Sequence, residues 1–197
     1  MKPSIILWDV MGTLVHDPFF EDVPAFFGLT LEQLLEVKHP TAWSECERGS
    51  MSSADMERSF FADGRDYDIA GLRETMARAY RLLPGMKPLL DDLRGVPMHV
   101  VSNYTPWYAM IERKLALSRW MTWRFVSCDL GWRKPEAGYY RAVLDELGVD
   151  PSACAFIDDR EVNCEGARTA GMHAIRFEDA VTVRTSLSRL GFDIPTT

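Results

Sequence analysis

The chain has 197 residues, of which 47% are hydrophobic and 26% are charged, a composition typical of a globular protein with a sizeable core. Its formal net charge of −7 argues against a nucleic-acid-binding surface, which requires a basic patch. No apolar run approaches the ~20 residues that span a bilayer, and the first ten residues lack the features of a signal peptide. We therefore expect a cytoplasmic protein with reduced cysteines and with neither nucleic acid nor a membrane as its partner.

The first predicted strand, residues 4–9, is followed by a long helical stretch. Its sequence, SIILWD, is short and almost continuously apolar, which is typical of a buried parallel strand. Residues 17–83 then carry helical patterns and no convincing strand. We predict a helical insertion after the first strand, placed where it can cover a site at the carboxyl end of that strand.

From residue 84 onward, strands and helices alternate. Further apolar runs predict strands over residues 97–102, 123–128, 154–158 and 173–177. Amphipathic patterns predict helices over residues 105–120, 135–150 and 161–172. This alternation predicts an α/β fold with a doubly wound parallel sheet and right-handed crossovers.

Polar side chains follow these strands at the points where the strands end. They are Asp9 after the first strand, Ser102 and Asn103 at the second, Lys134 after the third, and Asp158 and Asp159 at the fourth. Since the carboxyl ends of parallel strands share one edge of the sheet, we expect these groups to meet there. Buried like charges are costly unless a cation neutralises them, so the cluster indicates catalysis rather than stability.

Four motifs at these positions resemble those of the haloacid dehalogenase-like (HAD) hydrolase superfamily. In chain order they read DVMGTLV, VVSN, RKPE and FIDDREVNCEGARTAGM. The resemblance covers nearly the whole chain and implies a Rossmann-like three-layer sandwich with a parallel central sheet. It also implies a core domain of residues 1–16 and 84–197 and, as in subfamily I, a small helical C1-type cap over residues 17–83.

The resemblance implies a magnesium-dependent phosphatase that acts on a small phosphorylated metabolite. Asp9 would be the nucleophile that forms an aspartyl-phosphate. Ser102 and the backbone N–H of Asn103 would donate to the transferring phosphoryl group, while Lys134 would neutralise its charge.

The implied magnesium site uses oxygen ligands, which this ion prefers. They are the carboxylate of Asp9, the backbone carbonyl of Met11, and the carboxylates of Asp158 and Asp159, with Asp158 acting directly or through water. The role of Asn163 is open, and we expect it to buttress the metal loop.

The turn after the nucleophile belongs to the same expected phosphate-binding loop. Gly12 permits the tight backbone turn, and Thr13 can hydrogen-bond locally to hold it.

Met11 departs from the family pattern. HAD phosphatases carry a second aspartate two residues after the nucleophile, and it protonates the leaving alcohol and later activates water. The loss of such a general acid–base typically costs about 10²–10⁴ in rate. We therefore expect weak or altered phosphatase activity, with His16 or a cap residue as candidates to supply the acid.

Other functions stay open. A 2-haloacid dehalogenase attacks carbon and needs neither this aspartate nor a metal, but the Asp158-Asp159 pair argues against it. Phosphonoacetaldehyde hydrolases form a Schiff base on a cap lysine, and nothing in the sequence around Lys38 marks such a site. A catalytically silent fold that binds a phosphorylated ligand or a protein is a third alternative, and the chain is either a monomer or a homodimer.

One segment of the insertion has two explanations. The stretch containing Trp43, Glu47 and Arg48 resembles a cap segment of certain HAD relatives, where such residues line the substrate. Helix packing and surface charge explain it equally well.

Overall fold

A parallel five-stranded sheet lies at the centre of the computed structural model, which describes residues 2–195. The strands are β1 (Ile5–Trp8), β2 (Met98–Ser102), β3 (Thr122–Val126), β4 (Cys154–Asp158) and β5 (His173–Arg176). Neighbouring strands are all parallel, in the order β3-β2-β1-β4-β5. Because β1 lies between β2 and β4, the connections leave towards opposite edges of the sheet. The predicted α/β fold with a parallel central sheet is confirmed.

Eleven α-helices surround the sheet in the part of the chain that the structure describes. They are α1 (Asp22–Phe26), α2 (Leu31–Val37), α3 (Ala42–Glu47), α4 (Ser53–Arg58), α5 (Ile69–Ala79), α6 (Met86–Asp92), α7 (Tyr108–Leu115), α8 (Ser127–Leu130), α9 (Ala137–Leu147), α10 (Glu161–Thr169) and α11 (Ala180–Arg189). Within residues 2–195, every helix is too short or too polar to span a bilayer.

Apolar side chains cover both faces of the sheet. In β1, Ile6 and Trp8 pack into one buried cluster and Leu7 packs into the other. All three side chains are fully buried. This two-sided burial explains why the strand sequences read as nearly continuous apolar runs instead of alternating.

Residues 17–83, all of them described, contain α1 to α5 and no strand of the sheet. The chain leaves and re-enters the core at adjacent points. The backbone N–H of His16 donates to the carbonyl of Arg81 (2.9 Å), and that of Leu83 donates to the carbonyl of Leu14 (2.9 Å). The two segments that connect the helical insertion to the core are therefore hydrogen-bonded to each other beside the carboxyl end of β1.

The insertion is packed closely on the core. Leu34 and Met56 are buried in the same apolar cluster that covers one face of the sheet. Since this cluster runs without a break from sheet to insertion, the division into a core of 1–16 and 84–197 and a cap of 17–83 stays a prediction.

Two elements differ from the sequence-based expectation. The helix expected over 105–120 breaks at Ala116, which has a left-handed φ of 48°. Beyond the break, the backbone N–H of Ser118 donates to the carboxylate of Glu112 in α7 (3.1 Å). The third strand ends at Val126, because Ser127 exchanges hydrogen bonds with the backbone of Tyr104 and begins α8.

Candidate active site

The chain turns sharply immediately after β1. Asp9 extends the ladder, since its N–H donates to the carbonyl of Ile157 (2.9 Å). Gly12 then adopts a left-handed φ of 78°, and a Cβ at this position would lie 2.8 Å from Oδ2 of Asp159. The turn therefore requires glycine both for its backbone conformation and for close approach. The hydroxyl of Thr13 accepts from the backbone N–H of Asp159 (3.1 Å) and ties the two acidic loops together.

Lys134 lies at the centre of the predicted charged cluster. Its Nζ is 2.7 Å from Oδ1 of Asp9, 2.6 Å from Oδ2 of Asp158 and 2.7 Å from the carbonyl of Val101. The lysine and both acids are buried. All three donors of the ammonium group are thus used, and Asp9 keeps Oδ2 without a hydrogen bond from the described residues.

The electrostatics of this cluster follow from its burial and its excess of acid. Burial, and then the neighbouring carboxylate of Asp158, raise the pKa of Asp9 to about 7, although Lys134 acts in the opposite direction. Burial alone would lower the pKa of Lys134, but the two acids beside it raise that pKa above its ordinary value. Burial and Asp158 also raise the pKa of Asp159. If all three carboxylates are ionised, they and the one ammonium group leave a net charge of −2, so the cluster is then short of positive charge.

A divalent cation fits this deficit. Oxygen atoms of Asp9, Asp158 and Asp159 lie within 4.8 Å of one another, and carboxylate oxygens are the donors that Mg²⁺ prefers. Asn163 donates from Nδ2 to both oxygens of Asp158 (2.9 and 3.0 Å), and the backbone N–H of Arg160 donates to Oδ1 of the same residue (2.9 Å). Asp158 is therefore the fixed acid of the pair, and the expectation that Asn163 buttresses this loop agrees with these contacts.

The second predicted motif reaches the same edge of the sheet. Ser102 ends β2 and is buried, and its hydroxyl makes no hydrogen bond to the described residues. The side chain of Asn103 exchanges two hydrogen bonds with the backbone of Lys134, each of 2.8 Å. Asn103 thus holds the loop that carries the lysine, a positioning contact that the sequence did not indicate.

A cavity of about 200 Å³ lies between the insertion and the loops at the carboxyl ends of β1 and β2. We call it the interface pocket. Its apolar and aromatic wall comprises Phe19, Val23, Trp43, Phe60, Leu72, Met76 and Tyr104, and its other lining residues are Met11, Asp17, Lys38, Glu47 and Asn103. A larger cleft of about 700 Å³ lies between α9 and α10, and none of the predicted site residues lines it.

The predicted candidates in the insertion and beside it occupy different positions. Trp43 and Glu47 line the interface pocket, whereas Arg48 does not and forms an ion pair with Glu136. His16 is 2.8 Å from Asp22 and does not line the pocket either.

Lys38 faces the pocket, and burial lowers its pKa. Its Nζ donates to the carbonyl of His39 (3.4 Å).

Sequence reasoning missed the partner of Glu47. Oε1 of Glu47 accepts from Nε1 of Trp43 (2.9 Å), and Oε2 lies 2.7 Å from Nη2 of Arg133, the residue before Lys134. The i,i+4 spacing of Trp43 and Glu47 was visible in the sequence, because such residues share a helix face. The contact with Arg133 was not visible in the sequence, since this arginine comes from the core.

Comparison with known proteins identifies the family of the chain. The family model for haloacid dehalogenase-like hydrolases matches residues 3–171. Flavin mononucleotide hydrolase 1 of Arabidopsis thaliana, described as chloroplastic, is 46% identical over 195 residues, which cover 98% of this chain and 80% of the relative. A phosphoglycolate phosphatase of Pseudomonas syringae pv. tomato is 25% identical over 191 residues, covering 88% of this chain and 68% of the relative.

Two solved structures show the same fold. A HAD family enzyme from Bacteroides thetaiotaomicron, in complex with magnesium and inorganic phosphate, has a TM-score of 0.69 at 18% identity and covers 89% of this chain and 94% of its own. L-2-haloacid dehalogenase from Xanthobacter autotrophicus has a TM-score of 0.67 at 16% identity, and the match covers 94% of this chain and 83% of the dehalogenase.

The chain belongs to the haloacid dehalogenase-like hydrolase family, as its motifs predicted. It is an enzyme of the hydrolase class with the Rossmann-like fold of that family.

Proposed function

We propose that this hydrolase is a magnesium-dependent phosphatase of a small phosphorylated metabolite, with Asp9 as its nucleophile. The observation that carries the proposal is the position of Lys134, whose ammonium group joins Asp9 to Asp158 at 2.7 and 2.6 Å. This arrangement fixes the nucleophile and leaves its second oxygen available to attack phosphorus.

The other predicted residues have roles that fit their positions. Ser102 and the backbone N–H of Asn103 donate to the phosphoryl oxygens, and Lys134 neutralises the charge that gathers on them. Gly12 and Thr13 hold the turn that follows Asp9. Positioning and electrostatics of this kind dominate phosphoryl transfer.

The metal site in this proposal consists of Asp9, Asp158, Asp159 and the backbone carbonyl of Met11. The oxygen donors and the net charge of −2 suit Mg²⁺, which supplies Lewis-acid neutralisation of the phosphoryl group when bound. The magnesium in the Bacteroides structure supports the choice of metal.

Flavin mononucleotide (FMN) is the substrate that we propose first. The 46% identical Arabidopsis relative is named a flavin mononucleotide hydrolase, and the interface pocket offers aromatic surfaces from Trp43, Tyr104 and Phe60. A flat flavin ring packs favourably against such surfaces.

The pocket must open to admit this substrate. At about 200 Å³ it is below the roughly 300–1,000 Å³ of typical ligand sites. Two ion pairs, Glu47–Arg133 and Arg48–Glu136, join the insertion to the loop around Lys134. We propose that the more exposed pair, Arg48–Glu136, separates when substrate enters.

The test is phosphate release from FMN, phosphoglycolate and p-nitrophenyl phosphate, with magnesium and with EDTA, using Asp9→Asn as the control variant. We expect turnover that requires both the metal and Asp9, with FMN preferred to phosphoglycolate. Turnover that survives Asp9→Asn would refute the nucleophile. Magnesium binding without any turnover would favour the silent-binder alternative, and halide release from 2-haloacids would favour the dehalogenase.

Two expectations accompany this proposal. We retain a cytoplasmic location as a prediction, against which stands the chloroplastic description of the Arabidopsis relative. A monomer or homodimer also stays a prediction, and size-exclusion chromatography with light scattering distinguishes them.

A further inference from the structure

The interface pocket lacks a proton donor at the position where this family carries its second aspartate. Met11 occupies that position and lines the pocket, and a thioether neither gives nor takes a proton under these conditions. An alkyl phosphate is a poor substrate without such a donor, because its leaving oxygen must be protonated as the P–O bond breaks. A substitute acid has to come from the wall of the same pocket.

Two carboxylates line the described pocket, and their surroundings differ. Asp17 accepts from the backbone N–H of Phe19 (2.9 Å), which fixes it in a local turn. Glu47 is 6% exposed and reaches the pocket from α3. A buried carboxylate on the pocket wall has the better geometry for transfer to a substrate that excludes water.

The hydrogen bonding of Glu47 is incomplete. Oε1 accepts from Trp43, but Oε2 is buried and has no hydrogen-bond partner in the described structure. Although Nη2 of Arg133 is only 2.7 Å from Oε2, the two are not aligned as a hydrogen bond, and Nε of the same arginine is also buried without a partner. Buried polar atoms in native proteins almost always have partners. Glu47 and Arg133 can therefore each hydrogen-bond to a polar group of the substrate.

The surroundings of Glu47 act on its pKa in both directions. Burial raises the pKa of Glu47, while Arg133 and the hydrogen bond from Trp43 act against it. Lys134 and Arg160 also favour the ionised form. A general acid–base must be able to release and regain its proton near the working pH.

We propose that Glu47 is the general acid–base of this enzyme, supplied by the insertion in place of an aspartate at position 11. The inference rests on the proposed phosphatase function. In the first step Asp9 forms a bond to phosphorus, the ester P–O bond breaks, and the Glu47 carboxyl gives its proton to the departing alkoxide. In the second step the Glu47 carboxylate takes a proton from water as that water attacks phosphorus, and the aspartyl-phosphate bond breaks to free Asp9 and inorganic phosphate.

Rapid-mixing kinetics of Glu47→Gln with two esters test this assignment. FMN needs a protonated leaving oxygen, whereas p-nitrophenolate leaves without a proton. We expect Glu47→Gln to slow riboflavin release from FMN by about 10²–10⁴-fold and to keep a stoichiometric burst of p-nitrophenol, followed by slow turnover as the second step lags. The burst also counts the folded sites, so a misfolded variant is recognised. Glu45→Gln, the same change two residues away on α3 and outside the pocket lining, should leave both reactions unchanged.

Other outcomes overturn the assignment. Equal slowing of riboflavin release and of the p-nitrophenol burst would mean that Glu47 has a structural role. A raised KM at unchanged kcat would mean that it acts in substrate binding alone. Unchanged FMN hydrolysis would remove Glu47 from the mechanism while leaving the phosphatase proposal intact. Failure of the unmodified enzyme to hydrolyse either ester would overturn the phosphatase proposal and this inference with it.

Discussion

Replacing Lys134 by methionine tests whether the lysine holds the acidic cluster together. The substitution keeps most of the apolar stem and removes an ammonium group whose side chain is 1% exposed. Two buried carboxylates, Asp9 and Asp158, then lose their cation. Breaking a buried ion pair by removing one partner costs about 3–5 kcal/mol, so we expect the free energy of unfolding to fall by that amount in EDTA.

Lys87→Met provides a matched control. Lys87 is also 2.7 Å from a carboxylate, that of Asp91, but its side chain is 61% exposed. Exposed ion pairs contribute about 0–1 kcal/mol, so the two variants differ in burial and hardly in distance. Urea unfolding followed by tryptophan fluorescence measures both. A loss below about 1 kcal/mol for Lys134→Met would refute the conclusion that the ammonium group neutralises a buried cluster.

The pH dependence of the same variant has a definite sign. The pKa of Asp9 is about 7 in the folded protein and should rise further once Lys134 is gone. A carboxyl group whose folded pKa exceeds its unfolded value binds more protons when folded, so its contribution to stability is lost as the pH rises between the two values. We expect the deficit of Lys134→Met to be smaller at pH 6 than at pH 8. A deficit that does not change with pH would contradict this electrostatic explanation.

Magnesium should partly replace the missing ammonium group. A ligand at a hundred times its Kd stabilises the folded state by about 2.7 kcal/mol. Since Lys134→Met removes a cation that competes with the metal for Asp9 and Asp158, we expect tighter magnesium binding in this variant than in the unmodified protein at pH 8.5. Titration calorimetry measures the two Kd values, and equal values would show that the metal does not bind at this cluster.

Two further substitutions test the loop after β1 and the proposed acid. Gly12→Ala should lower the free energy of unfolding by about 1–2 kcal/mol for its left-handed backbone and should also weaken magnesium binding, because its Cβ would lie 2.8 Å from Asp159. Gly64→Ala, with φ of 70° and open space around it, should show the same backbone cost with unchanged magnesium affinity, and calorimetry separates the two. Met11→Asp should restore FMN hydrolysis to Glu47→Gln, since it returns a carboxyl group to the family's usual position; a double variant as slow as the single one would argue against proton transfer as the missing step.

The sheet and the cluster at its edge were predictable because they follow local rules. Short apolar runs locate the strands, and polar residues at or after the ends of the first four runs locate the site. Parallel pairing then brings Asp9, Lys134 and Asp158 together whatever the details of the helices. The third strand was predicted to end two residues too late, at 128 instead of 126, since the bonds from Ser127 to Tyr104 depend on a loop 23 residues earlier.

The insertion was less predictable because its side chains are fixed by tertiary contacts. The ion pair of Glu47 with Arg133 joins two segments 86 residues apart. Neither the glutamate nor the arginine indicates from the sequence which residue it pairs with. The break at Ala116 is a similar case, because alanine favours helix and carries no signal for a left-handed backbone. Its cause lies in the contacts of Glu112 beyond the break.

The central place of β1 has a consequence for how the chain is made. This strand is synthesised first, but its neighbours in the sheet are β2 and β4, which begin at Met98 and Cys154. At about 5–20 residues per second, roughly 7–30 s separate the synthesis of Trp8 from that of Cys154. Until β4 is made, the apolar segment IILW lacks at least one of its two neighbouring strands, which exposes it to aggregation and to chaperones. Of the three inner strands, β1 thus waits longest for its second neighbour.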